Sequence, residues 1–163
     1  MNLESIDTMN IIQHLSRLLQ LLCFVAWFGT ASAASLIDGA DTGPAVDGYD
    51  TVAYFTDAKA VKGNKAYSTS YAGATWLFSS AEHRDLFIDN PQAYAPQYAG
   101  HCALATAHGG VASGDPTRWN IIDKKLYLNT NLIANQIWKN NIPDNIHKAD
   151  KNWPQVQESI TNK

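Results

Sequence analysis

The sequence predicts a small single α+β domain with two short hairpin-like strand pairs, a short central helix and a helical C-terminal end. Three observations point to it. β-prone stretches flank the turn-forming phrases Lys62-Gly63-Asn64 and Asp123-Lys124-Lys125. Ser79 and Ser80 precede Glu82, the pattern of a helix start, where a hydroxyl caps free amides and an acid suits the dipole. Apolar residues after Asn131 then recur at near-helical spacing.

Taken in order, Ser35 to Val46 is rich in small residues, Gly and Asp, and is expected to be a tether. Tyr49 to Phe55 is apolar and β-prone. Ala66 to Tyr71 alternates as a strand does, Gly73 breaks it, and Thr75 to Phe78 forms the next strand. The central helix runs from the Ser79/Ser80 cap to Asn90, because the residue before Pro91 disfavours helical geometry. Between His101 and His108 lies an apolar element stopped by Gly109-Gly110. Trp119 to Ile122 and Leu126 to Leu128 form the second hairpin. Leu132, Ile133, Ile137 and Trp138, then Ile146, Ala149 and Trp153, carry the helical pattern past Pro143. No internal repeat and no low-complexity tract is read. Trp76, Trp119, Trp138 and Trp153 are expected to build the core, since each ring buries about 150 to 250 Å².

The N-terminal end has the layout of a cleavable export signal. Arg17 precedes an apolar run from Leu18 to Phe28, too short to span a bilayer, and Ala31-Ser32-Ala33 offers the small side chains a signal peptidase accommodates. Cleavage is expected after Ala33, with Ala34 as the second choice. The expected organisation is a signal over residues 1–33, a tether over 34–46, a domain over 47–154 and a C-terminal tail over 155–163. The destination is periplasmic or secreted, with no stable membrane insertion once the signal is removed.

Charge announces no partner. The whole chain of 163 residues carries a formal charge of −3, and acidic and basic residues alternate without runs of either sign. Nucleic-acid binding is therefore not expected. Cys23 lies in the signal, so Cys102 is the one thiol of the processed chain and has no internal disulfide partner.

Several phrases together resemble the YHS domain family. They are Gly48-Tyr49-Asp50-Thr51-Val52-Ala53-Tyr54-Phe55, then Phe78-Ser79-Ser80-Ala81-Glu82-His83-Arg84-Asp85-Leu86-Phe87, then Asn90-Pro91 with Tyr94. Gly100-His101-Cys102-Ala103 and Leu126-Tyr127-Leu128-Asn129 look like its exported, single-domain branch, and the resemblance runs from Asp47 to Pro154. It implies a small ligand- or metal-binding module with no catalytic residues to carry over. Other branches are similar to TRASH-type metal-binding modules, whose cysteines would fall on Ala53, Ser79 and His83; here only His83 keeps a metal-binding side chain.

The candidate metal ligands are His83, Cys102 and His101, with Asp50 or Tyr49 as a further donor, a set suited to copper or zinc. His83 shares a helical face with Leu86 and Phe87 and is expected to point inward. His101 and Cys102 are adjacent and diverge in either a strand or a helix, so at most one joins His83 unless the chain turns at Gly100. Cys102 alternatively is a buried inert thiol, and His101 a residue at a surface or pocket edge. His108 is expected at a solvated end, and His147 has no role assigned. A second function class is a metal-free module that binds a small ligand or protein through exposed Tyr49, Asp50, Tyr94 and Tyr98. A third is a thiol enzyme using Cys102, although no nucleophile elbow, phosphate-cradling loop or dinucleotide fingerprint accompanies it. The leading expectation is an exported, non-catalytic binding module.

Overall fold

The computed structural model describes residues 35–162. The expected signal, with Arg17, Cys23 and the cleavage point after Ala33, lies outside the described residues. The helices are α1 (Ala53–Thr56), α2 (Ala81–Asp89), α3 (Pro91–Tyr94), α4 (Ala103–Ala107), α5 (Leu132–Asn140) and α6 (Ile142–Thr161). The strands are β1 (Asn64–Tyr71) and β2 (Ala74–Phe78), then β3 (Asp115–Ile122) and β4 (Lys125–Asn129). Each pair forms its own antiparallel two-stranded sheet, so the α+β reading holds. Among the described residues, no helix is long and apolar enough to cross a membrane.

Three expectations need correction. Tyr49 to Phe55 is not a strand, because the Asp50 carboxylate accepts hydrogen bonds from Val52 N and Ala53 N at 2.9 and 3.2 Å and starts α1. Residues 35–46 are not a loose tether. Ile37, Ala45 and Val46 are buried, and Asp38 N donates to the Ala99 carbonyl at 2.9 Å. Nor is there a tail from residue 155, since α6 continues to Thr161 and buries Val156 and Ile160. The helical reading after Asn131 holds in α5, which leaves Leu132, Ile133 and Ile137 exposed and buries Trp138.

A larger feature was hidden in the sequence: the described chain contains the same unit twice. Pro44 and Pro96 share φ −69°, ψ 150°, and each is followed by a left-handed pair, Val46-Asp47 and Tyr98-Ala99, and a glycine of positive φ. A backbone bridge then joins Tyr49 to Lys62 and His101 to Ser113. Each hairpin pairs an eight-residue strand with a five-residue one, across a turn of two positive-φ residues and with one irregularity in register. A nine-residue helix follows each hairpin. Ser80 caps the first through His83 N, Asn131 caps the second through Ala134 N, and Asn90 and Asn141 end them at nearly the same dihedrals. The spacing between partners is about 51 residues, as in Ser80 and Asn131.

The repeats pack as one body. The larger core cluster includes Val52, Tyr54, Trp76, Phe78 and Phe87, and β4 of the second repeat adds Leu126 and Leu128 to it. Tyr98, Ala103, Tyr127, Trp138 and Ala149 form the second cluster. Of the four tryptophans, Trp76 and Trp138 are buried, while Trp119 and Trp153 are half-buried and pack against these clusters. Tyr54 ties the repeats together by donating from Oη to the Pro116 carbonyl at 2.8 Å, with its ring 5.2 Å from that of Trp119.

Candidate functional site

In the first repeat, the turn before α1 and the junction of β2 with α2 converge on Asp50. Its carboxylate is fully buried. Oδ1 accepts from Val52 N and Ala53 N, while Oδ2 accepts from Ser79 N at 2.8 Å, Ser79 Oγ at 2.6 Å and His83 Nδ1 at 2.7 Å. A buried carboxylate is costly unless donors surround it, and here they do. Because Nδ1 donates to Asp50, His83 Nε2 faces Thr56 Oγ1 at 3.2 Å. The chain Asp50–His83–Thr56 has the connectivity of a catalytic triad. Thr56 Oγ1, however, also lies 3.2 Å from the Val52 carbonyl, and its single proton serves either that carbonyl or the imidazole. His83 does point inward as expected, yet its work is to lock α1 to α2.

In the second repeat, Cys102 occupies the place of Asp50. Both backbone nitrogens donate across the same bridge at 2.8 Å, Asp50 N to Val61 and Cys102 N to Ala112. The Cys102 thiol is buried and donates to Asn129 Oδ1 at 3.7 Å, and Leu104 N donates to the same oxygen at 3.1 Å. Asn129 and Asn120 donate to Asn135 Oδ1 at 3.3 and 2.6 Å. A neutral amide network thus replaces the carboxylate–imidazole pair. His83 has Ala134 as its counterpart, so no imidazole faces Cys102 there. Buried among these groups, the thiol lacks the exposed electropositive setting that activates a nucleophile.

The aromatic surface expected of Tyr49, Tyr94 and Tyr98 does not form. Tyr98 is buried and donates to Asp150 Oδ1 at 2.9 Å; its phenol is pushed far up by burial, then by that hydrogen bond. Tyr94 packs edge-on against Phe55. Tyr49 lies under Lys62 Nζ, 4.2 Å from the ring centroid. Asp50, the fourth member, is wholly internal. Burial also raises Tyr54 far above the usual phenol range and pushes Tyr127 up to about 12.

His101 is the predicted site residue that meets open space. It is only 7% exposed, yet it lines a cavity of about 310 Å³. Nε2 lies 3.1 Å from the Leu36 carbonyl, which only accepts, so Nε2 carries the hydrogen. Nδ1 has no hydrogen-bond partner; Asp38 Oδ1, 3.6 Å away, is beyond bonding distance. Asp38 is fixed because its Oδ2 accepts from Gly114 N at 2.8 Å. The rest of the wall includes Ile37, Asp41, Val111 and Ile160. Sequence reasoning missed Asp38, Asp41 and Ile160, because they sit in segments taken for a tether and a tail. No local pattern marks them.

The proposed ligands His83, Cys102 and His101 are not brought together. They hold to Asp50, Asn129 and Leu36 respectively, in three separate settings. Among the described residues, no group of three or more His, Cys, Asp or Glu is placed to hold a metal ion. Asp50 cannot help, since its oxygens already serve five donors. Among the described residues, His83, Cys102 and His101 do not form a copper or zinc centre.

The described residues form a small duplicated α+β module, with polar locks inside each repeat and a pocket beside His101. Residues 52–98 match the model of the YHS domain family. The matched segment covers most of the first repeat. No curated protein and no solved structure matches the chain.

Proposed function

We propose that this chain is an exported, non-catalytic binding module whose ligand enters the pocket beside His101. One observation carries the reading: a histidine more than nine-tenths buried lines a cavity of about 310 Å³, and its Nδ1 has no hydrogen-bond partner within the chain. Buried polar atoms are nearly always paired, and a concave pocket lined by apolar walls and a few polar groups is the usual place for a ligand. Rigid walls support the reading, since Asp38 is tethered to Gly114 and Ile160 is held by the end of α6. Export rests on the signal-like layout of residues 1–33, and amino-terminal sequencing of the protein from envelope or medium should begin at Ala34 or Ser35.

The metal-binding and thiol-enzyme alternatives have less support, because their ligands are dispersed and Cys102 is enclosed. The test is ligand-detected NMR with a fragment library of small polar compounds. Fragments are expected to bind the wild-type protein and to be excluded by Val111→Trp, which fills the pocket from a partly exposed position. Binding that survives Val111→Trp in a folded protein would place the site elsewhere.

A further inference from the structure

We propose that the groove between the end of β1 and the junction of α2 with α3 docks an aliphatic side chain presented by a basic amphipathic helix of a protein partner. The groove shares no residue with the His101 pocket, and the inference stands independently of it. Its cavity of about 150 Å³ is lined by Thr69, Ser70 and Tyr71 of β1, Phe87 and Ile88 of α2, and Pro91 of α3. Phe87 is fully buried, and Tyr71 stands edge-on to it with ring centroids 5.6 Å apart. Ile88 is 51% exposed. A cavity of this size suits one aliphatic side chain better than a small-molecule ligand, whose pockets start at about 300 Å³.

The second repeat shows what kind of group belongs there. The spacing that relates Ser80 to Asn131 also sets Tyr71 against Ile122, Phe87 against Trp138, Ile88 against Lys139 and Pro91 against Ile142. In that repeat Ile122, Trp138 and Ile142 belong to one apolar cluster, together with Ile146 and Ala149 further along α6. The helix that enters at Ile142 runs on for 20 residues and lays aliphatic side chains on the cluster. In the first repeat proline replaces that isoleucine, and α3 stops after one turn at Tyr94. The chain thus fills the position itself in one repeat and leaves it short of an aliphatic side chain in the other. The neighbouring helix position changes accordingly: it is Lys139 where α6 follows, and the exposed Ile88 where no long helix does.

Charge defines the flanks of the partner helix. Asp85 and Asp89 flank Ile88 along α2, and both are exposed. Arg84 answers Asp85 at 2.8 Å, whereas among the described residues Asp89 has no ion-pair partner. The counterparts of these acids in the second repeat are the uncharged Gln136 and Asn140. A lysine or arginine one turn from the inserted side chain complements Asp89.

The probe is the helix that the second repeat already uses: a capped peptide of residues 141–153, held helical by a lactam between the side chains of Asp144 and Lys148, which meet at 2.7 Å in α6. Without the cross-link a segment this short is largely unfolded in water. A second peptide carries Asp150→Lys, which puts a lysine one turn from Ile146. Each is titrated into the isotope-labelled full chain and followed by amide NMR shifts. Saturable shifts are expected at Tyr71, Phe87 and Ile88, with the lysine peptide binding about threefold more tightly, the scale of one exposed ion pair. Ile88→Asp and Pro91→Ile should each weaken binding by at least about tenfold, the loss of an anchoring contact. Pro91→Ile fills the groove with the side chain the second repeat carries at that place, and circular dichroism checks the fold of both variants. A peptide with Ile142→Asp and Ile146→Asp should not bind, and Asp89→Asn should erase the lysine gain; a gain that survives it overturns the basic flank. Three results overturn the proposal as a whole: no binding of either cross-linked peptide, binding unchanged by Ile88→Asp and Pro91→Ile, or shifts centred on Ala103, Tyr127 and Trp138 through displacement of α6.

Discussion

The two repeats share a backbone and differ in what they do with their polar positions. The first buries a carboxylate and surrounds it with five donors, and it closes its outer face with Lys62 over Tyr49. The second puts a thiol and three asparagines in the corresponding interior and leaves the outer face open beside His101. The chemistry-bearing residues of the first repeat, Asp50 and His83, are therefore committed to the fold. The pocket beside His101 lies in the second repeat, against a segment from outside the repeated unit.

The largest expected effect tests that division. Asp50→Ala removes a buried acceptor from five donors and should cost about 3 to 5 kcal/mol or prevent folding. Its neutral counterpart is milder: Asn129→Ala should cost about 1 to 3 kcal/mol in urea unfolding. A smaller loss for Asp50 than for Asn129 would undo the division of labour between the repeats.

The duplication itself is probed by a matched pair of glycines. A Cβ at Gly63 would meet the Leu77 backbone at 2.5 Å, and one at Gly114 would meet the Gly100 carbonyl and the Leu128 side chain. Gly63→Ala and Gly114→Ala should each cost about 1 to 3 kcal/mol, the usual penalty of overpacking. If one were neutral, the repeats would not share this close approach.

Base should unfold the protein through its buried phenols. Tyr54, Tyr98 and Tyr127 are all raised in the folded state, Tyr127 to about 12, while an unfolded phenol titrates near 10. Above pH of about 10 the unfolded chain therefore binds fewer protons than the folded one, and stability falls as pH rises. Their contribution is intact below pH of about 10 and is lost on the way through about 12. Phenolate absorbance should rise in step with the loss of ellipticity. If these phenols ionised well before unfolding, the packing of Tyr54 between the repeats would be contradicted.

Cys102 gives the smallest effect. Cys102→Ala removes a weak donor and a small buried volume, so about 1 kcal/mol is expected. The native thiol should resist alkylation until denaturant opens the second repeat.

Local signals in the sequence located the two hairpins, the Ser80-capped helix and its stop at Asn90, because a turn or a cap needs particular residues at particular places. They also placed His83 inward and His101 at a pocket edge. The repeat stayed hidden for a physical reason: few of the shared features demand a particular side chain. The left-handed pairs are Val46-Asp47 and Tyr98-Ala99, residues with no common signature, and Phe78 of one repeat answers to Asn129 of the other. The pocket was illegible because its acids come from Asp38 and Asp41, far in sequence from His101, and become neighbours only when residues 35–46 pack. The helical spacing of Leu132, Ile133 and Ile137 located α5 but not its buried side, which is set by Trp138 and Ala134.

Whether the ligand site belongs to His101 and not to His83 is decided by histidine-resolved NMR. With the protein labelled at its imidazole nitrogens, a titration with a fragment that binds the wild-type protein should move the His101 signals and leave both nitrogens of His83 unchanged. Movement of His83 with His101 still, or tight copper or zinc binding that shifts His83 and His101 together, would contradict the assignment of the site to His101.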